Sequence, residues 1–353
     1  MSGFPSAAAK RPHRLLRWLL ATALVLPAWA HAGVGIAAIE VTDPVGGGAM
    51  HGYVFYPTAA PLPTPATKIG PYEVAAAFDV PAQPGAKPLV VISHGHGGSS
   101  LGLHDLATHL AAHGFMVATF EHPKDNFRDS SGNGKAEVMA GRALQVTATI
   151  SALLDAPRWK PLVDADRIGV AGFSAGGYTS LLVVGAKPRF ERFVGYCERH
   201  PDDAEICGLV QQLGDGVEAA LASLQAEVDR MGDTADPRVR AAFAMAPQAI
   251  PFDAETLAAI DRPVFLYYGE RDGVLRPDEN ARRIAPLIPT LKRSVEVPGA
   301  DHWVFIAPCS AELAREVGRI CRDPEGVDRA AVHAQINADA LAFFRDALDV
   351  AAD

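Results

Sequence analysis

Ser174, Asp272 and His302 are the residue types of a nucleophile, an orienting acid and a general base, and they occur in that order along 353 residues. A serine hydroxyl by itself is a poor nucleophile at neutral pH. An imidazole that takes its proton, held in one tautomer by a carboxylate, makes it competent for attack on an acyl carbon. Ser174 lies in Gly172-Phe173-Ser174-Ala175-Gly176. A serine at the tip of a sharp turn needs strained backbone angles and close neighbouring chain, so glycine is required two residues before and two after. Such pentapeptides also arise by chance in ordinary flexible turns, and the context separates the two readings. Apolar Ile168 to Ala171 precede the motif, small residues leading to Leu181 and Leu182 follow it, a Gly-rich stretch lies upstream, and acid and histidine lie downstream.

The upstream stretch, His94-Gly95-His96-Gly97-Gly98, follows the apolar run Pro88 to Ser93. It would turn an amide toward Ser174, so the backbone N–H groups of His96 and Ala175 are the expected oxyanion donors. The imidazole of His94 reads as a brace for this loop, and no further ligands accompany His94 and His96 for a metal site. Two carboxylates compete for His302. Asp301 is its sequence neighbour, but neighbouring side chains on extended chain point apart. Asp272 follows a separate strand and would return beside the histidine at the same sheet edge, so it is the expected partner. Trp303 and Phe305 are candidates for the pocket wall, with core packing the alternative for Phe305.

The elements that position these residues alternate between strand and helix. Val34 to Val41 and Met50 to Tyr56, separated by Gly46-Gly47-Gly48, read as an antiparallel pair at a sheet edge. Residues 57–88, rich in proline and alanine, read as a long surface excursion. The run at Pro88 to Ser93 is apolar throughout, as expected of a strand covered on both faces. A helix over His104 to His113 and a strand over Phe115 to Phe120 follow. The polar loop Glu121 to Lys135 then lies at a strand's carboxyl end, where His122, Asn126 and Arg128 could touch substrate or be solvated. Ala136 to Leu154 reads as a helix burying Val138, Leu144, Thr147 and Ile150. The rhythm implies a mostly parallel sheet with right-handed crossovers and helices on both faces.

Between Pro188 and Asp236 that rhythm breaks. Leu209, Leu213, Val217, Leu221, Leu224, Val228 and Met231 recur at three- and four-residue steps, giving one or two amphipathic helices after a Cys197/Cys207 loop. Residues 188–236 therefore read as a helical cap inserted over Ser174, with a plain core helix as the alternative. The strands Val239 to Met245, Pro263 to Tyr268 and Ser294 to Val297 resume the sheet. Helices over Leu313 to Cys321 and around Ile336, Leu341, Phe344 and Leu348 close the chain.

Composition bounds the surroundings. With 49% hydrophobic residues, 32 glycines and 27 prolines, the chain is globular. Residues 1–32 resemble a secretory signal: Lys10, Arg11, Arg14 and Arg17 precede an apolar run from Trp18 to Trp29, and small Ala30 and Ala32 follow. That run is too short to span a bilayer, although an uncleaved anchor is the alternative. Cleavage would leave one domain, 33–353, in the periplasm or outside the cell, with no stable membrane anchor. It would also remove four positive and no negative side chains from a chain already at −9. An acidic protein of this kind has no general field for nucleic acid or anionic lipid. The four cysteines fall into two local pairs, and in an oxidising compartment short loops favour Cys197–Cys207 and Cys309–Cys321. Neither pair has metal-binding spacing.

With these motifs assembled, the chain resembles the α/β-hydrolase fold, and within it the bacterial dienelactone-hydrolase-like group related to platelet-activating-factor acetylhydrolases. The matching stretches are Gly33-Val34-Gly35, Val54-Phe55-Tyr56-Pro57, Ser93 to Gly98, Gly172 to Gly176, Gly269-Glu270-Arg271-Asp272, Asp301-His302 and Pro308-Cys309-Ser310. The resemblance implies a serine ester hydrolase acting on a small-molecule ester without metal or organic cofactor. Two departures bear on substrate. Dienelactone hydrolases use a cysteine nucleophile where this chain has Ser174, so a cyclic lactone is not implied. The mammalian acetylhydrolases carry their acid after the strand following the nucleophile helix, where this chain reads Met245-Ala246-Pro247. Thioester or peptide hydrolysis by the same three residues, or a non-catalytic binding protein on the same scaffold, are the rival expectations.

Overall fold

The protein is described here by a computed structural model covering residues 1–4 and 33–351; apart from its first four residues, the expected signal segment lies outside the described residues. The chain enters the sheet through β1 (Gly33–Thr42) and β2 (Ala49–Thr58), paired antiparallel from Gly33 opposite Thr58 to Thr42 opposite Ala49. Segment 57–88 is not wholly a surface excursion. It holds a small hairpin, β3 (Thr67–Ile69) with β4 (Tyr72–Val74), and then β5 (Ala77–Phe78), which pairs parallel to β1 at the sheet edge. Val74 and Ala76 are fully buried. Strands of two or three residues are too short to show a period of two, and for that reason the sequence reads as loop.

From β6 (Lys87–Ser93) the sheet becomes parallel: β7 (Met116–Phe120), β8 (Val163–Phe173), β9 (Val239–Met245), β10 (Val264–Gly269) and β11 (Leu291–Val297). The spatial order is β11-β10-β9-β8-β6-β7-β2-β1-β5. Alternate residues of β6 face opposite sides, as a pleated strand requires. Leu89 and Val91 join one hydrophobic cluster, while Val90 and Ile92 join the other. One face is covered by α1 (His104–Ala112) and the C-terminal α11 (Arg329–Ala347). The other is covered by α2 (Ala136–Met139), α3 (Gly141–Asp155) and α4 (Ala175–Val183). This is the α/β-hydrolase architecture, with helices on both faces of a mostly parallel sheet.

The expected helix 136–154 is divided at Ala140, and its buried face differs from the apolar reading. Leu144 and Thr147 are only partly buried, whereas Arg142, Gln145, Val146 and Thr149 face inward. The two polar side chains with long reach, Arg142 and Gln145, hold the inner face because their hydrogen bonds are satisfied there. Segment 188–236 forms α5 (Arg192–Arg199), α6 (Ala204–Leu213) and α7 (Val217–Arg230). Cys197 therefore lies in a helix rather than a loop, and its disulfide to Cys207 ties α5 to α6. Cys309 is bonded to Cys321. No helix among the described residues is long and apolar enough to cross a membrane.

Strand order reverses at β6. The chain moves from β6 outward to β7, then crosses back to place β8 on β6's other side. A crevice opens at the carboxyl ends of strands at such a switch point. Ser93, the last residue of β6, pairs with Gly172 near the end of β8, so the Gly-rich loop and Ser174 emerge side by side.

Candidate active site

Ser174 immediately precedes α4, at its N-cap position, with φ 58° and ψ −118°, a conformation that L-residues avoid without external support. The support is backbone: Ser174 N–H donates to Met245 O at 2.9 Å, and Tyr178 N–H donates to Ser174 O at 3.0 Å. The flanking glycines are steric necessities. A Cβ on Gly172 would stand 2.1 Å from Gly176 O, and one on Gly176 would stand 1.9 Å from Ser93 O. The side chain of Ser174 stays partly exposed at the tip.

His302 follows β11 in a short turn and is buried. Its Nε2 lies 3.0 Å from Ser174 Oγ, and its Nδ1 lies 2.6 Å from Asp272 Oδ2. The second oxygen of Asp272 accepts from Val274 N–H at 2.9 Å and Leu275 N–H at 2.7 Å, which fixes the carboxylate plane. Asp301 is not used in this way. Its Oδ1 accepts from Trp303 N–H at 3.0 Å, capping the turn that carries His302, and burial pushes its carboxyl upward. Phe173 packs against the imidazole of His302. Phe305 is fully buried against Phe173 and Tyr267, so of the two aromatic candidates only Trp303 reaches the cavity.

The loop after β6 runs directly over the serine: a Cβ on Gly95 would stand 3.3 Å from Ser174 Cβ. His96, on this loop, and Ala175, the first residue of α4, both line the cavity that holds Ser174. His94 is a brace. Its Nδ1–H donates to Gly95 O at 2.7 Å and its Nε2 accepts from His122 N–H at 3.1 Å. Burial pushes it down to about 3, so it is neutral. His122 is likewise held neutral by burial and does not touch the cavity. Ser93 Oγ–H donates to its Nε2 at 2.8 Å, and its Nδ1–H donates to Gln145 Oε1 at 2.7 Å. Asn126 Nδ2 donates to His122 O, and Arg128 is exposed and pairs with Glu121. Of the three loop residues weighed as substrate contacts or solvated groups, His122 and Asn126 are buried in other roles, whereas Arg128 is solvated.

Two site residues escaped the sequence reading. Asp125 and Arg142 form a buried ion pair at 2.5 Å directly under the Gly-rich loop. Asp125 Oδ1 accepts from His96 Nδ1–H and, at 3.3 Å, from Gly97 N–H. That bond raises the His96 imidazole above its ordinary value, against the effect of burial. An arginine one step off the apolar stripe of α3 was the available signal.

Above Ser174 lies a cavity of about 280 Å³. Its floor is Gly95, His96, Ser174, Ala175 and His302; Val138 and Met139 form one wall. Segment 188–236 contributes Phe193, Ile206, Val210, Leu221 and Leu224 to the lining, with Glu205 near His96. Leu221 and Leu224 belong to the periodic leucines of the sequence, whereas Phe193 and Ile206 do not.

An α/β-hydrolase fold with a serine on a strained strand-to-helix turn, backed by a buried histidine and carboxylate, is the class this arrangement defines. Residues 74–212, which hold the Gly-rich loop, the Ser174 turn and α5, match the model of the dienelactone hydrolase family, so the chain is similar to that family over this stretch. Among solved structures it is similar to a ferulic acid esterase from Streptomyces cinnamoneus, with 21% identity, a TM-score of 0.60, and coverage of 93% of this chain and 94% of that one. No curated protein matches the chain.

Proposed function

We propose that the protein is an exported serine hydrolase that cleaves carboxylic esters of small molecules through an acyl-enzyme on Ser174. The reading is carried by one observation, the line from Ser174 Oγ through both nitrogens of His302 to Asp272, placed at the floor of a largely apolar cavity. Ser174 Oγ attacks the ester carbonyl while His302 Nε2 takes its proton, and Asp272 stabilises the imidazolium that forms. The tetrahedral oxyanion receives hydrogen bonds from the N–H groups of His96 and Ala175. His302 then protonates the leaving alcohol, and water, deprotonated by the same nitrogen, releases the acid. The dienelactone hydrolase family match and the neighbour described as a ferulic acid esterase both favour an ester over other acyl compounds.

Export is supported by two disulfides, which persist in oxidising compartments. Segment 188–236 is proposed as the cap that bounds the acyl or alcohol group. The direct test is labelling with a fluorophosphonate, read by peptide mapping, beside hydrolysis of nitrophenyl esters and matched amide and thioester analogues. Labelling of Ser174, with loss of ester hydrolysis in Ser174→Ala, is expected. An unlabelled Ser174, or a Ser174→Ala variant as active as wild type, would exclude it as nucleophile; faster turnover of the amide or thioester would move the substrate class.

A further inference from the structure

Asp125 and Arg142 take no part in the proton transfers set out above, yet between them they hold both chain segments that carry the oxyanion donors. Arg142 is 1% exposed and spends every arm of its guanidinium there. Nη2 donates to His94 O and, at 3.2 Å, to Ser93 Oγ, so it grips the loop bearing His96. Nε donates at 3.1 Å to Thr179 Oγ1, whose own O–H donates at 2.8 Å to Ala175 O. Nη1 donates to Asp125 Oδ2 at 2.5 Å. Asp125 completes the clasp by accepting from the His96 imidazole and Gly97 N–H. A continuous chain of hydrogen bonds thus runs from the carbonyl of His94, two residues before the proposed donor His96, to the carbonyl of Ala175, the residue of the other proposed donor.

A buried ion pair is a weak device for stability alone, because desolvating two charges offsets most of their attraction and apolar side chains of similar volume would serve as well. Its use here is geometric. An oxyanion hole works only when its donors stand within a few tenths of an ångström of their places, and the two proposed donors lie beyond Ser93 and Gly172, the last residues that pair β6 with β8. We propose that Arg142 and Asp125 are positioning residues that set the spacing and direction of the two oxyanion donors, Arg142 as the strut between loop and helix and Asp125 as the anchor of the His96 end. The inference rests on the reading of Ser174 as nucleophile.

The test uses Arg142→Lys, which keeps the charge but cannot reach Thr179 and His94 O together, and Thr179→Val, which breaks only the link to α4. Nitrophenyl butyrate kinetics and inhibition by an alkyl trifluoromethyl ketone, whose serine adduct carries an oxyanion, are measured for each. Arg142→Lys is expected to lower kcat about 100-fold with KM changed less than about threefold, and to weaken the ketone in parallel, as a misplacement near 1 Å does. Thr179→Val should lose roughly 10-fold by the same route, and Thr179→Ser, which retains the hydroxyl, should restore it. Should Arg142→Lys not fold, the Thr179 pair decides alone. If Ser174→Ala abolishes activity while Thr179→Val keeps kcat and ketone affinity, or loses them with no recovery in Thr179→Ser, the strut is overturned and the nucleophile stands. If wild type takes neither ester nor fluorophosphonate, the reading of Ser174 fails instead.

Discussion

At the scale of residues, the competition between Asp272 and Asp301 for His302 is decided by what each carboxylate already does. Asp272 gives one oxygen to the imidazole and the other to two backbone amides, so its plane is set by protein rather than by solvent. Asp301 caps the turn beneath the histidine. Asp272→Asn would present an amide to Nδ1 and favour the wrong tautomer, and kcat should fall by roughly 10⁴ with native circular dichroism retained. Asp301→Asn keeps a side-chain acceptor for Trp303 N–H and should cost less than about tenfold, as a weakened cap rather than a lost role. Kinetics of the two folded variants settle the order; a larger loss at Asp301 would reverse the assignment. The nearness of Ser174, Asp272 and His302 was legible because strand ends in a parallel sheet line up, and three motif loops at strand ends must then meet. Asp125 and Arg142 were not legible, because a charged residue inside a helix reads as solvent-facing unless its partner, here 17 positions away in a loop, is known.

At the scale of elements, the same cause displaced the inner face of α3. Apolar periodicity assigned Leu144 and Thr147 to the core, but the helix turns Arg142, Gln145 and Thr149 inward, toward Asp125, His122 and the polar underside of the Gly-rich loop. Polar networks are invisible to a hydrophobic pattern. Helices α6 and α7 were legible as amphipathic while α5 read as part of a loop, yet apolar residues of all three line a cavity as well as packing on the core. Leu221 and Leu224 from α7 and Ile206 and Val210 from α6 line it. Val210→Trp should therefore fill space within a cavity of about 280 Å³ and shorten the preferred ester. A few lost methylene contacts, each worth about 1–3 kcal/mol of discrimination, should shift the ratio of kcat/KM for nitrophenyl octanoate over acetate by more than about 10-fold. A folded Val210→Trp variant with the wild-type chain-length profile would mean that substrate does not enter beneath α6.

At the scale of the whole molecule, twelve histidines in one chain couple the fold to pH. Burial holds His94 down to about 3 and His122 well below its ordinary value, and both sit neutral in the network behind the Gly-rich loop. Burial also lowers His104, and lowers His109 to about 4. His96 moves the other way through its bond to Asp125, so its contribution is largest below the unfolded value and fades as pH rises through its raised one. For the buried, lowered histidines the sign is opposite. Above about pH 6.5 folded and unfolded chains are both neutral at these rings; below it the unfolded chain takes up protons that the folded chain refuses. Each such ring then removes up to about 1.4 kcal/mol of stability per pH unit until the folded value is reached. Counting only His94 and His122, and allowing for the gradual onset and the opposing His96, the unfolding free energy should drop by about 2–3 kcal/mol between pH 7 and pH 5. Over that range Asp105 and Asp125, both lowered, remain charged and contribute no slope, because carboxylates of depressed value lose their stabilisation only below the unfolded value near 4. Urea titrations at pH 7, 6 and 5 on the oxidised protein measure the effect, and the same series on His122→Gln should show a slope reduced by about one proton. Stability that is flat or rising from pH 7 to pH 5 would mean that these two rings are not held neutral, and with it that His122 Nε2–H donates to Ser93 Oγ instead of accepting from it.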